Sequence, residues 1–214
     1  KYRVFRKKGT ESWTRIADTG STNYTDRSAA SGTTYAYTVR CIKADGKFAS
    51  DYDKNGKSLI RLSTGNVKSI ANAAKGMRLT WTKINGAQGY IIYRAYGSGA
   101  YKAIKTITSG TTLNYTDTSA TVNGGKYSYA VCGYRGSVKG VYTGKSYYCL
   151  TQNRISSVTN SAAGRATVAW SQNAKATGYQ VNYKTGNTQK TVTVKSYKTL
   201  RTVLSSLKRR ATYS

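Results

Sequence analysis

The sequence predicts an all-β protein made of tandem β-sandwich units, and three observations predict it. The first is an internal repeat: Tyr90-Ile91-Ile92-Tyr93-Arg94, Tyr115-Thr116-Asp117 and Tyr127-Ser128-Tyr129-Ala130-Val131 return upstream as Tyr2-Arg3-Val4-Phe5-Arg6, Tyr24-Thr25-Asp26 and Tyr35-Ala36-Tyr37-Thr38-Val39, at offsets of 88, 91 and 92 residues. Downstream, Trp170 answers Trp81 and Gly178-Tyr179 answers Gly89-Tyr90, both at an offset of 89. A period of that length fits a compact sandwich, with the slippage absorbed in loops. The second observation is composition, with 20 Tyr, 21 Gly and frequent Thr, Val and Ser. These favour short strands punctuated by turns. The third is that apolar residues alternate with period two, and no long helical period appears.

In chain order, Tyr2 to Lys8 reads as a strand, followed by a turn at Lys8-Gly9-Thr10 and a second strand over Trp13–Ala17. Tyr35, Tyr37, Val39 and Cys41 alternate, which puts them on a core face and Arg40 and Lys43 on the other. Ala44-Asp45-Gly46-Lys47 is a hairpin signal. Ser58 to Leu62 closes the first unit, and Ser63-Thr64-Gly65-Asn66 links it to the next. In the second unit Met77, Leu79 and Trp81 share one face, where the indole fills the space between sheets. Tyr127 to Val131, the loop Arg135–Gly140 and Lys145 to Leu150 form its last hairpin. The third unit runs from Ile155 through Trp170 and Tyr179 to Val194, Leu204, Leu207 and Tyr213. The expected boundaries are 1–63, 67–152 and 155–214, the first unit lacking its first two strands and the third its last two. A chain that starts and stops inside repeats is most simply a piece of a longer one, so a half-exposed core is expected at its incomplete ends, with export signal and wall anchor outside it.

The pattern of Trp81 and Trp170, Gly89-Tyr90 and Gly178-Tyr179, with the Gly-x-x-Tyr approach at Gly32-Thr33-Thr34-Tyr35, resembles the immunoglobulin-like fibronectin type III fold. More narrowly, it is similar to the tandem type III-like modules of Gram-positive bacterial surface and secreted proteins. In the second unit the approach, Gly124-Gly125-Lys126-Tyr127, is shifted by one. In the third it becomes Leu207-Lys208-Arg209-Arg210-Ala211-Thr212-Tyr213. The resemblance implies that Tyr35, Tyr127 and Tyr213 form tyrosine corners, each phenol hydroxyl bonding backbone a few residues earlier. It also implies an extracellular location, and it leaves function open, because such sandwiches serve as spacers, adhesins and accessory modules.

The inventory argues against catalysis. The chain has no His, one Glu and six Asp, the Asp residues lying in turns, with Asp26 and Asp117 recurring in equivalent Tyr-Thr-Asp turns. No acid–base pair or activated thiol can be assembled from these. Gly97-Ser98-Gly99 and Gly124-Gly125 lack the Lys-Ser/Thr of a phosphate loop. Three cysteines, Cys41, Cys132 and Cys149, have neither paired spacing nor His partners, so no metal or cofactor is expected. A Cys132–Cys149 bridge is geometrically open, but free thiols are the favoured state. No apolar run of 18 or more residues spans a membrane.

Charge is the remaining signal. Residues 1–53 hold 10 basic and 6 acidic side chains, whereas residues 54–214 hold 25 basic ones against Asp117 alone. Such a field draws in polyanions in a salt-dependent way. The candidate polyanion-binding residues are Lys102, Lys105, Arg135, Lys139, Lys145, Lys190, Lys195, Lys198, Lys208, Arg209 and Arg210. Their competing role is a solvated strand face or a guarded sheet edge. Three readings follow: an adhesive or display module for anionic wall polymer, host glycan or a host surface protein; a passive rigid spacer; or an accessory module of a secreted enzyme. Nucleic acid is expected to bind only non-specifically.

Overall fold

A computed structural model describes residues 1–173 and 175–214. Seventeen strands, and no helix, make up the described residues. The first repeat contributes β1 (Tyr2–Lys8), β2 (Thr14–Thr19), β3 (Thr34–Cys41) and β4 (Lys57–Ile60), joined in one antiparallel sheet of order β2-β1-β3-β4. The middle repeat has β5 (Val67–Asn72), β6 (Met77–Trp81), β7 (Gly89–Tyr96), β8 (Lys102–Ile107), β9 (Asn114–Asp117), β10 (Lys126–Arg135), β11 (Val138–Lys139) and β12 (Gly144–Tyr148). Its sheets are β5-β6-β9 and β11-β10-β7-β8, with β12 also paired to β10. The third repeat supplies β13 (Ile155–Ala162), β14 (Arg165–Trp170), β15 (Tyr179–Thr185), β16 (Thr188–Val194) and β17 (Arg201–Leu204), arranged as β13-β14-β17 and the hairpin β15-β16. By contact density the chain divides into two compact units. One is Lys1–Ile70 with Leu79–Tyr115 and Ser128–Lys145, the other Ala71–Arg78 with Thr116–Tyr127 and Ser146–Ser214.

In the first unit the deepest packing belongs to the middle repeat. Leu79, Tyr90, Ile92, Tyr129 and Val131 are fully enclosed. The Trp81 and Tyr90 rings meet edge to face, with centroids 5.4 Å apart. The linker between the first two repeats is itself pinned: Gly65 accepts from Thr143 N–H (3.1 Å) and donates to the Val141 carbonyl (2.9 Å). The sheet of the first repeat is covered far less. Val4 and Tyr35 are buried, but Val39, expected on the core face, is 47% exposed. It borders an open cavity of about 670 Å³ lined also by Tyr2, Tyr24, Tyr37 and Leu59.

The second unit has its own smaller core. Val168, Trp170 and Leu204 are buried, with Tyr179, Val181, Val192 and Leu207 packed against them. β13 is exposed along its whole length. Ser214 exchanges two hydrogen bonds with Lys184 on β15, of 2.8 and 3.1 Å. Among the described residues no helix is long and apolar enough to cross a membrane, and no group of three or more His, Cys, Asp or Glu is placed to hold a metal.

Candidate functional site

The tyrosine corners recur at one spacing. Ala30 N–H donates to the Tyr35 hydroxyl (3.3 Å), Val122 N–H to that of Tyr127 (3.3 Å), and Lys208 N–H to that of Tyr213 (2.7 Å), always five residues back. A second motif repeats with equal fidelity. The Tyr90 hydroxyl accepts from Ile84 N–H and donates to the Gly110 carbonyl, while that of Tyr179 accepts from Asn173 N–H and donates to the Tyr197 carbonyl. Each of these tyrosines supports a tryptophan, Trp81 at 5.4 Å and Trp170 at 5.3 Å between centroids. Both indole N–H groups are buried, and neither has an acceptor among the described residues. In these contacts the aromatic residues meet backbone and one another.

The densest polar constellation surrounds Asp26. Its carboxylate accepts from the Ser28 N–H (2.9 Å) and hydroxyl (2.7 Å), from Arg6 (2.7 Å) and from the Tyr37 hydroxyl (2.9 Å). Burial raises its pKa, but the bonds from Ser28, Arg6 and Tyr37 outweigh burial and hold it at about 2, below the ordinary 3.8. Burial and the Asp26 bond push Tyr37 up to about 12. Asp117 makes the equivalent bonds to Ser119, from the N–H (3.1 Å) and the hydroxyl (2.7 Å). Fully bonded carboxylates are poor proton-transfer groups, so both belong to turn architecture. A depressed carboxylate stabilises the fold above its unfolded pKa and loses that contribution as pH falls through the folded value. The first repeat is expected to lose about 2 kcal/mol between roughly pH 4 and pH 2. Asp26→Asn should remove most of this step from an acid titration of amide exchange in β1 and β3.

The candidate cations all face solvent. Lys102 and Lys105 lie on β8, Lys139 on β11, Lys145 on β12 and Lys190 on β16, each an outer strand of its sheet. Arg135 donates to the Gly86 carbonyl (3.3 Å) and Lys145 to that of Lys68 (3.1 Å). Lys190 and Lys208 are brought together around a cavity of about 130 Å³ that Tyr183 and Tyr213 also line, and Arg209 and Arg210 follow directly in the chain. Lys195 borders a separate shallow site beside Tyr179. Lys198 lies over the Tyr197 ring at 5.9 Å. None of these candidates pairs with a carboxylate among the described residues. Beyond residue 53 the chain has one carboxylate, Asp117, and it is 1% exposed.

All three cysteines are free thiols. Cys132 donates to the Gly140 carbonyl (3.0 Å) and Cys149 to that of Ala120 (3.1 Å). Burial pushes both thiols above their usual pKa, away from the thiolate that nucleophilic or metal chemistry needs.

Sequence reasoning missed one cluster. Arg40, expected on a solvent face, is half-buried because the segment after β3 folds back over it. Its guanidinium lies 3.6 Å from the Phe48 ring centroid and 5.1 Å from that of Tyr52. Phe5 and Trp13 complete the surround. The signal available in sequence is that Phe5 and Trp13 recur as Tyr93 and Tyr101, both at an offset of 88.

No protein-family model matches the chain, and no curated protein matches it. Many solved chains are similar, and two of them serve as examples. The FN1–FN3 domains of chicken CNTN1 are 15% identical over 99% of this chain and 80% of that one, with a TM-score of 0.40. A two-domain fibronectin type III segment from chicken tenascin is 20% identical over 71% of this chain and 86% of that one, with a TM-score of 0.30. At these scores the overall likeness is loose; the all-β tandem fold rests on the strand pairing and the recurring Tyr and Trp geometry.

Proposed function

We propose that the chain is a non-catalytic attachment module of a bacterial surface or secreted protein, whose cationic surface holds anionic polymers such as teichoic acid or acidic host glycans. One observation carries this reading: from residue 54 onward 25 basic side chains share a single carboxylate, the buried one of Asp117. Charge left uncompensated on that scale repels itself unless a polyanion or salt screens it. The convergence of Lys190 and Lys208 on Tyr183 and Tyr213, followed by Arg209 and Arg210, marks the place to begin. The organisation proposed is three sandwich-type units, 1–63, 67–152 and 155–214, with extracellular display.

A second reading, the passive spacer, is favoured by the strand lysines. Five of the candidates sit on outer strands, where a charged side chain discourages edge-to-edge pairing. Binding of the intact chain to lipoteichoic acid, heparin and DNA at low and physiological salt separates the two. Attachment predicts one polymer retained at physiological salt, with affinity reduced by alanine at Lys208, Arg209 and Arg210. Equal binding to all three that vanishes with salt would leave the spacer.

A further inference from the structure

The outer face of the β1–β3 pair carries an unusual juxtaposition. Arg3 and Arg40 are direct cross-strand partners, a like-charge pairing that is destabilising without a counter-ion. Arg3 has one: it makes two bonds to Asp18 (2.9 and 3.0 Å), which Arg15 also engages (2.8 Å). Arg40 has none. Its Nε donates to the Ser50 carbonyl (3.1 Å), and its two terminal amino groups have no partner among the described residues. Arg40 borders a cavity of about 120 Å³ whose other walls are Phe5, Trp13, Thr38, Phe48 and Tyr52. The Thr38 hydroxyl is already spent on the Asp53 carbonyl. An unneutralised guanidinium thus faces a small, ring-lined recess.

The middle repeat shows the same platform without the charge. Tyr93 stacks on Tyr142 at 4.7 Å, and Tyr101 meets Tyr142 edge-on at 6.0 Å. At the position aligned with Arg40 stands Cys132, buried and bonded to the Gly140 carbonyl. There the rings pack on each other; in the first repeat they are parted around an arginine.

We propose that this recess binds a carboxylate-bearing sugar, a uronate unit of an acidic polysaccharide, with its C–H face on the rings and its carboxylate on the two free amino groups of Arg40. The planar guanidinium fork matches a two-oxygen carboxylate, and the methyl ester and dextran sulfate in the test below decide whether it is the carboxylate that is recognised. Phe5 and Phe48 are tilted by 47° with centroids 6.3 Å apart, a wedge that suits a puckered ring better than the parallel slot a planar base requires. The site shares no residue with the attachment reading, and either can fail alone.

The test uses the intact chain and Trp13 emission, because Trp81 and Trp170 are buried. A galacturonate trimer at physiological salt should give saturable binding with a change in Trp13 fluorescence. Its methyl ester, which lacks the carboxylates, should bind about tenfold more weakly or worse. Arg40→Gln should lose a similar factor without moving Tm, and Arg40→Lys should not restore it. Phe48→Ala, at an exposed position, should weaken binding of the acid and the ester alike. Equal binding of acid and ester, or unchanged affinity in Arg40→Gln, would overturn the proposal. So would dextran sulfate competing fully in a manner lost only with Lys208, Arg209 and Arg210, a result that leaves the attachment reading intact. Uronate binding lost in Arg40→Gln, with polymer retention unchanged by alanine at Lys208, Arg209 and Arg210, would defeat the attachment reading and uphold this one. No binding of any of these ligands would overturn both.

Discussion

Trp81→Ala is expected to cost about 3–5 kcal/mol, the range for truncating a large aromatic in a closed core. The indole is 3% exposed and packs edge-on against Tyr90, which is fully buried and ties backbone at Ile84 and Gly110. Removing it opens a cavity beside a residue that cannot move without breaking two hydrogen bonds. Trp81→Phe should cost far less than the lost ring area implies. The Trp81 N–H is buried with no acceptor among the described residues, a defect worth roughly 1–3 kcal/mol that phenylalanine removes. Amide exchange in β6 and β7 reads both variants; similar losses for the two would show that the unpaired N–H carries no penalty.

Gly76→Ala should be of comparable severity, about 3 kcal/mol or more, for two separable reasons. Its φ of 79° is left-handed, which alone costs an L-residue about 1–2 kcal/mol. Its missing Cβ would also fall inside the carbonyl oxygen of Asp117, a backbone atom held by the Asp117–Ser119 turn. Gly97 supplies the control. It has a φ of 59° and nothing near the site of a Cβ, so Gly97→Ala should pay only the conformational part. If the two alanines destabilise equally, the close approach to Asp117 contributes nothing.

The repeat and its buried aromatic residues were legible because they obey local rules. Met77, Leu79 and Trp81 alternate, and all three are buried. Tyr35, Tyr127 and Tyr213 each close a five-residue corner that needs no distant partner. Val39 shows the limit of alternation. Period two tells which face a residue shares, not whether a second sheet lies over it, so Val39 follows the core pattern and stays 47% exposed. Arg40 shows the opposite limit. Its face reads as solvent, yet Phe48 and Tyr52 return over it, and the path of a loop is not written in the period of a strand. The lysines were legible as charge, but their concentration on outer strands follows from pairing order, which only the structure gives.

The placement of those lysines has a consequence for the material the protein forms. Lys102, Lys105, Lys139, Lys145 and Lys190 lie on outer strands, where their charge would hold open edges apart, and a polyanion would neutralise that same charge. A polymer that coats them brings many copies together while switching off their mutual repulsion. Near charge equivalence the mixture should therefore turn turbid and condense into a network, and clear again when either polymer or salt is in excess. Under the attachment reading, adhesion would be a property of the assembled layer rather than of a single bound chain.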